Sequence, residues 1–451
     1  MYVHFIAVGG AAMHNLAIAL SNRGYRVTGS DDEIFEPSRS RLSTKGLLPP
    51  TMGWDPDRVS PDLDAVILGM HARQDNPELL RAQELKIPIY SFPEFLFEQT
   101  RNKLRVVIGG SHGKTTVTSM IMHVLRNCGR TFDYMVGAQF EGFDTMVGLS
   151  ENAEIAVFEG DEYLSSPIDR RPKFHLYRPH VAVINGIAWD HINVFPSYDG
   201  YVEQFSHFVS LIEPKGTLIY FEGDPETSRI VAGTRPDLQK IPFSAHPHTI
   251  HGGRFQLDTD MGPVPVGVFG LHNMQNIEAA RAVCSVLNIP DSDFYETIST
   301  FRGASRRLQT LSEGNDFAIY LDFAHSPSKA GATVRAVKAL HPDRKLIACL
   351  ELHTFSSLNR DFLSHYAGTL SAADQAVVYF DPATIRHKKL PPISEEDVRK
   401  AFDKPGLTVF SQRDNLIQFL QDLKLQRTDL LMMSSGTFSG AALQLNEILG
   451  I

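Results

Sequence analysis

Residues 104–116 read LRVVIGGSHGKTT, and the fold turns on that stretch. Leu104–Ile108 is an apolar run of strand length. Gly109-Gly110-Ser111-His112-Gly113-Lys114-Thr115-Thr116 follows, and the residues up to Asn127 carry a helical pattern. A strand, a Gly-rich loop and a helix in that order form the context in which a loop cradles phosphate. The glycines let backbone N–H groups turn toward phosphate oxygens, and the helix N-terminus adds partial positive charge. Lys114 is positioned for the β- and γ-phosphates and the Thr115 hydroxyl for Mg²⁺. The spacing G-x-x-x-G-K-T is one residue shorter than the usual phosphate-loop pattern. Alone it indicates a bound nucleoside triphosphate and says nothing of the acceptor. The bland alternative is a structural turn with a chance Gly-Lys-Thr.

Outward from this loop the chain reads as three α/β blocks, residues 1–103, 104–304 and 305–451. In the first, Val3–Val8 is a strand, Gly9-Gly10 a turn, Met13–Asn22 a helix and Tyr25–Gly29 a second strand. Ala65–Leu68 and Pro88-Ile89-Tyr90 follow as strands. In the second, Ile155–Phe158, Val181–Ile184 and Thr217–Tyr220 are strands with helical stretches between them. The third carries Phe317–Leu321, Lys345–Leu350, Gln375–Tyr379 and Leu430–Met433, with a helix over Lys329–Leu340. Such alternation predicts βαβ units and mostly parallel sheets.

Composition narrows the function classes. The 451 residues are 43% hydrophobic and 21% charged, which suits packed domains and excludes a disordered chain. Lys and Arg number 43 against 52 Asp and Glu, a net charge of −9, so nucleic acid is not the expected partner. No apolar run approaches the roughly 18 residues that span a bilayer, and MYVHFIAVGG reads as a strand rather than a signal peptide. Cys128, Cys284 and Cys349 stand far apart, with no C-x-x-C pair. A reducing, cytoplasmic setting is expected, without a membrane partner.

Further motifs give the phosphate loop its setting. They are Phe158-Glu159-Gly160-Asp161-Glu162, Asn185 with Asp190-His191, and His272-Asn273-Met274-Gln275-Asn276. Arg306-Arg307-Leu308 and Asp322-Phe323-Ala324-His325-Ser326-Pro327 follow. With Gly110–Thr116 in the form G-[ST]-x-G-K-T-T, the whole chain resembles the Mur ligase family, the ATP-dependent amide-forming enzymes of peptidoglycan synthesis. The resemblance implies three domains: a Rossmann-like N-terminal domain for the UDP-muramate, a P-loop ATPase-like central domain, and a Rossmann-like C-terminal domain. The last would close on ATP and bind the incoming amine.

Physical and family readings meet at each site residue. Glu159 ends an apolar strand, so its carboxylate emerges where open α/β sheets bind ligands, and Mg²⁺ favours such an oxygen. A solvated strand-end acid is the alternative. The resemblance gives His191 a part at a second Mg²⁺, His272 and Asn276 the adenine, Arg307 the γ-phosphate and Asp322 the ribose, with His325 in the same motif. Gly110, Ser111, His112, Gly113, Lys114, Thr115 and Thr116 make up the rest of the ATP site. Lys114, Glu159, His191 and Arg307 form the expected catalytic set; Thr115, Glu159 and His191 form the expected metal set. Some members carry a carbamylated lysine about fifteen residues after the Asp-His pair. Residues 192–214 contain no lysine, and Ser206 stands near that place.

The first block resembles the muramate-binding branches, with Gly9, Gly10, Ser30 and Asp31 expected around UDP-N-acetylmuramate. Two branches begin this way. One adds L-alanine and the other adds the recycled tripeptide L-Ala-γ-D-Glu-meso-diaminopimelate. FEGDEY at 158–163, KFHLYRP at 173–179 and MSSGTFSG at 433–440 resemble the tripeptide branch, whereas Glu351-Leu352-His353-Thr354 departs from its E-P-R-S. His353 stands where that branch has an arginine. The peptide is expected near Arg171, Lys173, Glu351 and His353. The chemistry implied is attack of the muramate carboxylate on ATP to give an acyl phosphate, then capture by the amine. A non-catalytic ATP-sensing scaffold is a reading of a different class. A folate polyglutamate ligase would share the phosphate loop but give no reason for Gly9-Gly10.

Overall fold

The computed structural model describes residues 1–251 and 254–450, in two compact units. The first comprises residues 1–187, 199–244 and 279–297; the second comprises 188–198, 245–278 and 298–451.

The first unit holds two sheets. The strands β1 (Tyr2–Ile6), β2 (Arg26–Ser30), β3 (Ala65–Leu68) and β4 (Ile89–Ser91) are all parallel, in the order β2-β1-β3-β4. The larger sheet contains β5 (Leu104–Gly109), β6 (Phe132–Met135), β7 (Val147–Gly148), β8 (Ile155–Glu159), β9 (Val181–Ile184), β10 (Thr217–Phe221) and β11 (Gln239–Phe243). Its order is β11-β10-β9-β5-β8-β6-β7, and only β7 pairs antiparallel. The central strand β5 is covered on both faces, and Val106, Val107 and Ile108 are fully buried. This explains why it reads as a continuous apolar run rather than an alternating one.

The second unit holds a small antiparallel sheet of β12 (His248–His251), β13 (Arg254–Thr259) and β14 (Gly262–Pro265). Its main sheet contains β15 (Gln309–Glu313), β16 (Phe317–Asp322), β17 (Lys345–Leu352), β18 (Gln375–Phe380), β19 (Thr408–Phe410) and β20 (Thr428–Met433). The order is β15-β16-β20-β17-β18-β19, parallel except for β15. Ile319, Ile347, Cys349, Val377, Leu430 and Met432 build one core beneath it. Among the described residues no helix is long and apolar enough to cross a membrane.

Candidate active site

The loop after β5 has the backbone that its glycines require. Gly110 has φ +115°, and a Cβ there would lie 2.6 Å from the amide nitrogen of Asn185. Gly113 has φ +66° and caps the helix Lys114–Asn127, which has no acidic residue in its first turn. The free N-terminal amides and dipole of that helix favour an anion. The Ser111 amide donates to Gly186 O at 2.9 Å, which ties the loop to the strand end beside it.

Lys114 reaches back over the loop. Its Nζ donates to Gly110 O at 2.8 Å and to Glu162 Oε2 at 2.7 Å. Glu162 is buried, and its second oxygen accepts from the Tyr201 hydroxyl at 2.9 Å; Tyr201 lies 2.9 Å from Ser111 Oγ. Burial works against the lysine's charge, but Glu162 and Asp161 outweigh it and raise its pKa. Glu162 belongs to the FEGDE motif, yet nothing in the sequence pairs it with Lys114.

Glu159 ends β8 beside the loop. Its Oε1 accepts from Thr115 Oγ1 at 3.0 Å and its Oε2 from the Gly137 amide at 2.6 Å. Asn185, just past β9, has both side-chain polar atoms buried and, among the described residues, without a hydrogen-bond partner. Unpaired buried polar atoms cost about 1–3 kcal/mol each, so a site that supplies partners to a ligand fits them. Amide donors, a lysine, and hard oxygens from Thr115 and Glu159 suit a triphosphate with Mg²⁺. Among the described residues no group of three or more His, Cys, Asp or Glu gathers as a metal cage.

In the second unit, Asp322 ends β16 and is buried. Its Oδ1 accepts from the amides of Leu308 and Phe323 at 3.0 and 2.8 Å, and its Oδ2 from Thr333 Oγ1 at 2.6 Å. That carboxylate pins the Arg306–Leu308 turn, where Arg306 and Leu308 have φ +56° and +51°. Arg307 stacks over Phe323, with Cζ 4.4 Å from the ring centroid. His272 and Asn276 lie on the helix Leu271–Val286. His272 is within electrostatic reach of Asp322 and Arg335, and burial lowers its pKa. Asn276 is buried and donates to Asn273 Oδ1 at 3.1 Å.

The segment carrying His191 also belongs to this unit. Asp190 is buried; its Oδ1 accepts from the His191 amide at 2.8 Å, and Lys329 Nζ donates to its Oδ2 at 3.2 Å. Burial alone would raise the Asp190 pKa, but Lys329, His191 and His325 hold it far below the usual carboxylate range. His191 itself has φ +55°. His325 is pushed down to about 3, by burial first and then by Lys329.

Comparison with known proteins decides the family. A Mur ligase family catalytic-domain model matches residues 2–103, the Mur ligase middle-domain model 108–284, and the Mur ligase glutamate-ligase-domain model 306–436. The chain belongs to the Mur ligase family. The Mur fold is an α/β fold of three domains, and its members are ATP-dependent ligases that form carbon–nitrogen bonds. This chain is therefore such an enzyme, of the family that serves peptidoglycan synthesis.

Two kinds of Mur relative are similar to it. A UDP-N-acetylmuramate–L-alanine ligase of Sulfurihydrogenibium sp. is 30% identical over 383 residues, 83% of this chain and 82% of the relative. A UDP-N-acetylmuramate–L-alanyl-γ-D-glutamyl-meso-2,6-diaminoheptandioate ligase of Escherichia coli is 27% identical over 450 residues, 98% and 96% of the two chains. The solved murein peptide ligase of Psychrobacter arcticus shares the fold with TM-score 0.69 at 24% identity, covering 100% of this chain and 99% of that one. The alanine ligase of Thermotoga maritima gives TM-score 0.74 at 20% identity, covering 99% and 98%.

Gly10 precedes the helix Ala11–Asn22 as its N-cap. Asp31 Oδ2 accepts from the Gly9 amide at 2.7 Å, and a Cβ on Gly9 would meet that oxygen at 2.9 Å. Burial pushes the Asp31 carboxyl up to about 6, against the pull of the Gly9 amide. Ser30 is fully buried and its hydroxyl donates to Glu78. Glu78 also bonds His4 and the Asp55 amide, which ties its helix, Pro77–Glu84, to β1 and to the turn at Asp55.

On the peptide side, Arg171 and Lys173 already have partners. Arg171 bonds Asp169 and Glu94, and Lys173 Nζ bonds Asp161 Oδ2 at 2.6 Å. Glu351 is buried at the carboxyl end of β17 and accepts from Ser434 Oγ and, at 2.8 Å, from the Phe438 amide. His353 Nδ1 lies 3.8 Å from Glu351 Oε1.

Proposed function

We propose that this Mur ligase joins L-Ala-γ-D-Glu-meso-diaminopimelate to UDP-N-acetylmuramate in the cytoplasm, as part of peptidoglycan recycling. The observation that carries the reading is how FEGDEY and KFHLYRP, the stretches resembling the tripeptide branch, pack on each other. Phe158 meets Tyr177 with ring centroids 4.9 Å apart. The Lys173 amide donates to Tyr163 O at 2.9 Å, the Phe174 amide to Asp161 O at 3.1 Å, and Lys173 pairs with Asp161. The two stretches thus form one folded piece that also carries Glu159 and Glu162, so the branch-like residues adjoin the catalytic ones.

In this reading the loop Gly110–Thr116 and Lys114 hold the ATP phosphates. Thr115 and Glu159 would hold Mg²⁺, with His191 assisting a second ion. The metal would offset phosphate charge. The muramate carboxylate attacks the γ-phosphate to give an acyl phosphate with loss of ADP. Lys114 and Arg307 stabilise the charge that develops. The peptide amine then attacks the acyl carbon, and phosphate leaves with the proton released to solvent. His272, Asn276, Asp322 and His325 would seat the nucleoside, and Gly9, Gly10 and Asp31 the UDP. Residues 1–103, 104–304 and 305–451 would serve as the muramate, ATP and peptide domains.

A second reading is ligation of L-alanine, favoured by the 30% identity to an enzyme of that name and by His353 in place of an arginine. Phosphate release that requires UDP-N-acetylmuramate and tripeptide together, with the ligated product found by mass, supports the first reading. ATP binding without release would return the protein to a nucleotide-sensing scaffold.

A further inference from the structure

The main sheet of the second unit ends, at the carboxyl side of the adjacent strands β20, β17 and β18, in a cluster outside the nucleotide residues. Open parallel sheets bind ligands at that edge. Glu351 organises it by holding Ser434 and the Phe438 amide, while Arg306 Nη2 donates to Ser434 O at 3.0 Å and to Gly436 O. The 434–438 turn lies so close that a Cβ on Gly436 would stand 2.8 Å from Glu351 Oε2 and 2.8 Å from His353 Nδ1.

Lys388 completes this cluster from the next crossover. It caps the C-terminus of the helix Pro382–His387, a favourable place for a cation, and its Nζ sits 4.4 Å from the centroid of the Phe355 ring. Phe355 is 40% exposed. Lys388 and Arg306 both lie within electrostatic reach of His353 and, after burial itself, help to lower its pKa; Glu351 and Asp381 act the other way. The two acids are engaged: Glu351 as above, and Asp381 by the Ala383 amide at 2.7 Å and Ser439 Oγ at 3.3 Å. Arg306 has Nη2 on backbone carbonyls. Among the described residues Lys388 makes no ion pair, and burial lowers its pKa. A partly desolvated ammonium with no acid opposite it, beside an imidazole that can donate, is a receptor for an anionic oxygen.

We propose that Lys388, with the His353 imidazole as a hydrogen-bond donor, binds a diaminopimelate carboxylate of the incoming tripeptide and so selects it over L-alanine. This rests on the tripeptide reading above. It supplies the cation that the sequence lacks at His353, and it does so from a residue outside every recognised motif.

The test uses the full-length enzyme with ATP and UDP-N-acetylmuramate. In Lys388→Met the KM for tripeptide should rise about tenfold, a change of about 1.4 kcal/mol in binding. Its kcat and the KM values for ATP and UDP-N-acetylmuramate should stay within twofold, and Lys388→Arg should restore most of the loss. A tripeptide with both diaminopimelate carboxylates amidated should bind wild type as weakly as the acid binds Lys388→Met, and the variant should not distinguish the two peptides. An active Lys388→Met enzyme with an unchanged tripeptide KM overturns the assignment of Lys388. An equal KM rise for the amidated peptide also overturns it, because the effect is then structural. A wild type that turns over L-alanine but no tripeptide overturns the tripeptide reading itself.

Discussion

The Nζ of Lys114 and Oε2 of Glu162 stand 2.7 Å apart, so the phosphate-loop lysine is held by a buried carboxylate. The pair keeps the ammonium charged and fixes its place above the loop. A lysine free of structural partners could be removed with no cost in stability, but this one cannot, because truncation leaves the buried Glu162 carboxylate without its balancing cation. Lys114→Ala should abolish phosphate release and also destabilise the fold, by about 3–5 kcal/mol. Lys114→Met with Glu162→Gln should recover much of that stability but no activity. Urea unfolding and ADP release measured on the same samples check both halves; wild-type turnover in either variant would remove Lys114 from the chemistry.

Glu159 joins the Thr115 hydroxyl to the Gly137 amide. Glu159→Gln keeps the size and loses the charge. It should raise the Mg²⁺ concentration for half-maximal rate by tenfold or more and lower the rate at saturation. Titration of activity against Mg²⁺ reads both. An unchanged titration would leave Glu159 as a structural acceptor.

Asp190 links the His191 backbone to Lys329. Lys329 lies in the first turn of the helix Pro327–Leu340, where the dipole disfavours a cation, so its place depends on Asp190. Lys329→Met should loosen Asp190, cost about 1–3 kcal/mol of stability, and weaken apparent Mg²⁺ affinity if His191 serves the metal. Lys329→Arg should restore the Mg²⁺ titration. A Mg²⁺ profile identical to wild type in Lys329→Met would separate Asp190 from the metal.

His175 is buried against Phe174, with Nε2 2.8 Å from Gln204 O. Burial lowers its pKa to about 4, against the pull of that carbonyl. The folded state therefore resists a proton that the unfolded chain accepts near the ordinary value of about 6.5. This contribution to stability is full above that value and is lost as pH falls toward 4, by up to about 3 kcal/mol. His175→Gln should flatten this part of the pH–stability curve. Parallel urea titrations at pH 7.5 and 5 would show it, and equal losses in both proteins would assign the loss to other groups.

The sequence reveals what is local. The apolar run of β5, the glycines and the helix behind them lie within one stretch, so Lys114, Thr115 and the strand-end Glu159 could be read directly. Pairings across long separations carry no periodicity. Glu162 meets Lys114 at a separation of 48 residues, and Ser434 and Phe438 meet Glu351 at 83 and 87. Asp190-His191 could be read as a motif, but not that its segment packs with residues 245–278 and 298–451. The short strands β12–β14, with many exposed positions, gave no apolar run to notice. Gly-Ser-Asp likewise marks a turn after a strand but does not say that the Ser30 hydroxyl meets Glu78.

The central claim is ligation of the tripeptide to UDP-N-acetylmuramate, and the kcat/KM for tripeptide against that for L-alanine, under saturating ATP, Mg²⁺ and UDP-N-acetylmuramate, tests it most directly. A ratio of at least 100 in favour of the tripeptide, with one ADP formed per ligated product, is the predicted result. A ratio below one would contradict the account and make the enzyme an L-alanine ligase.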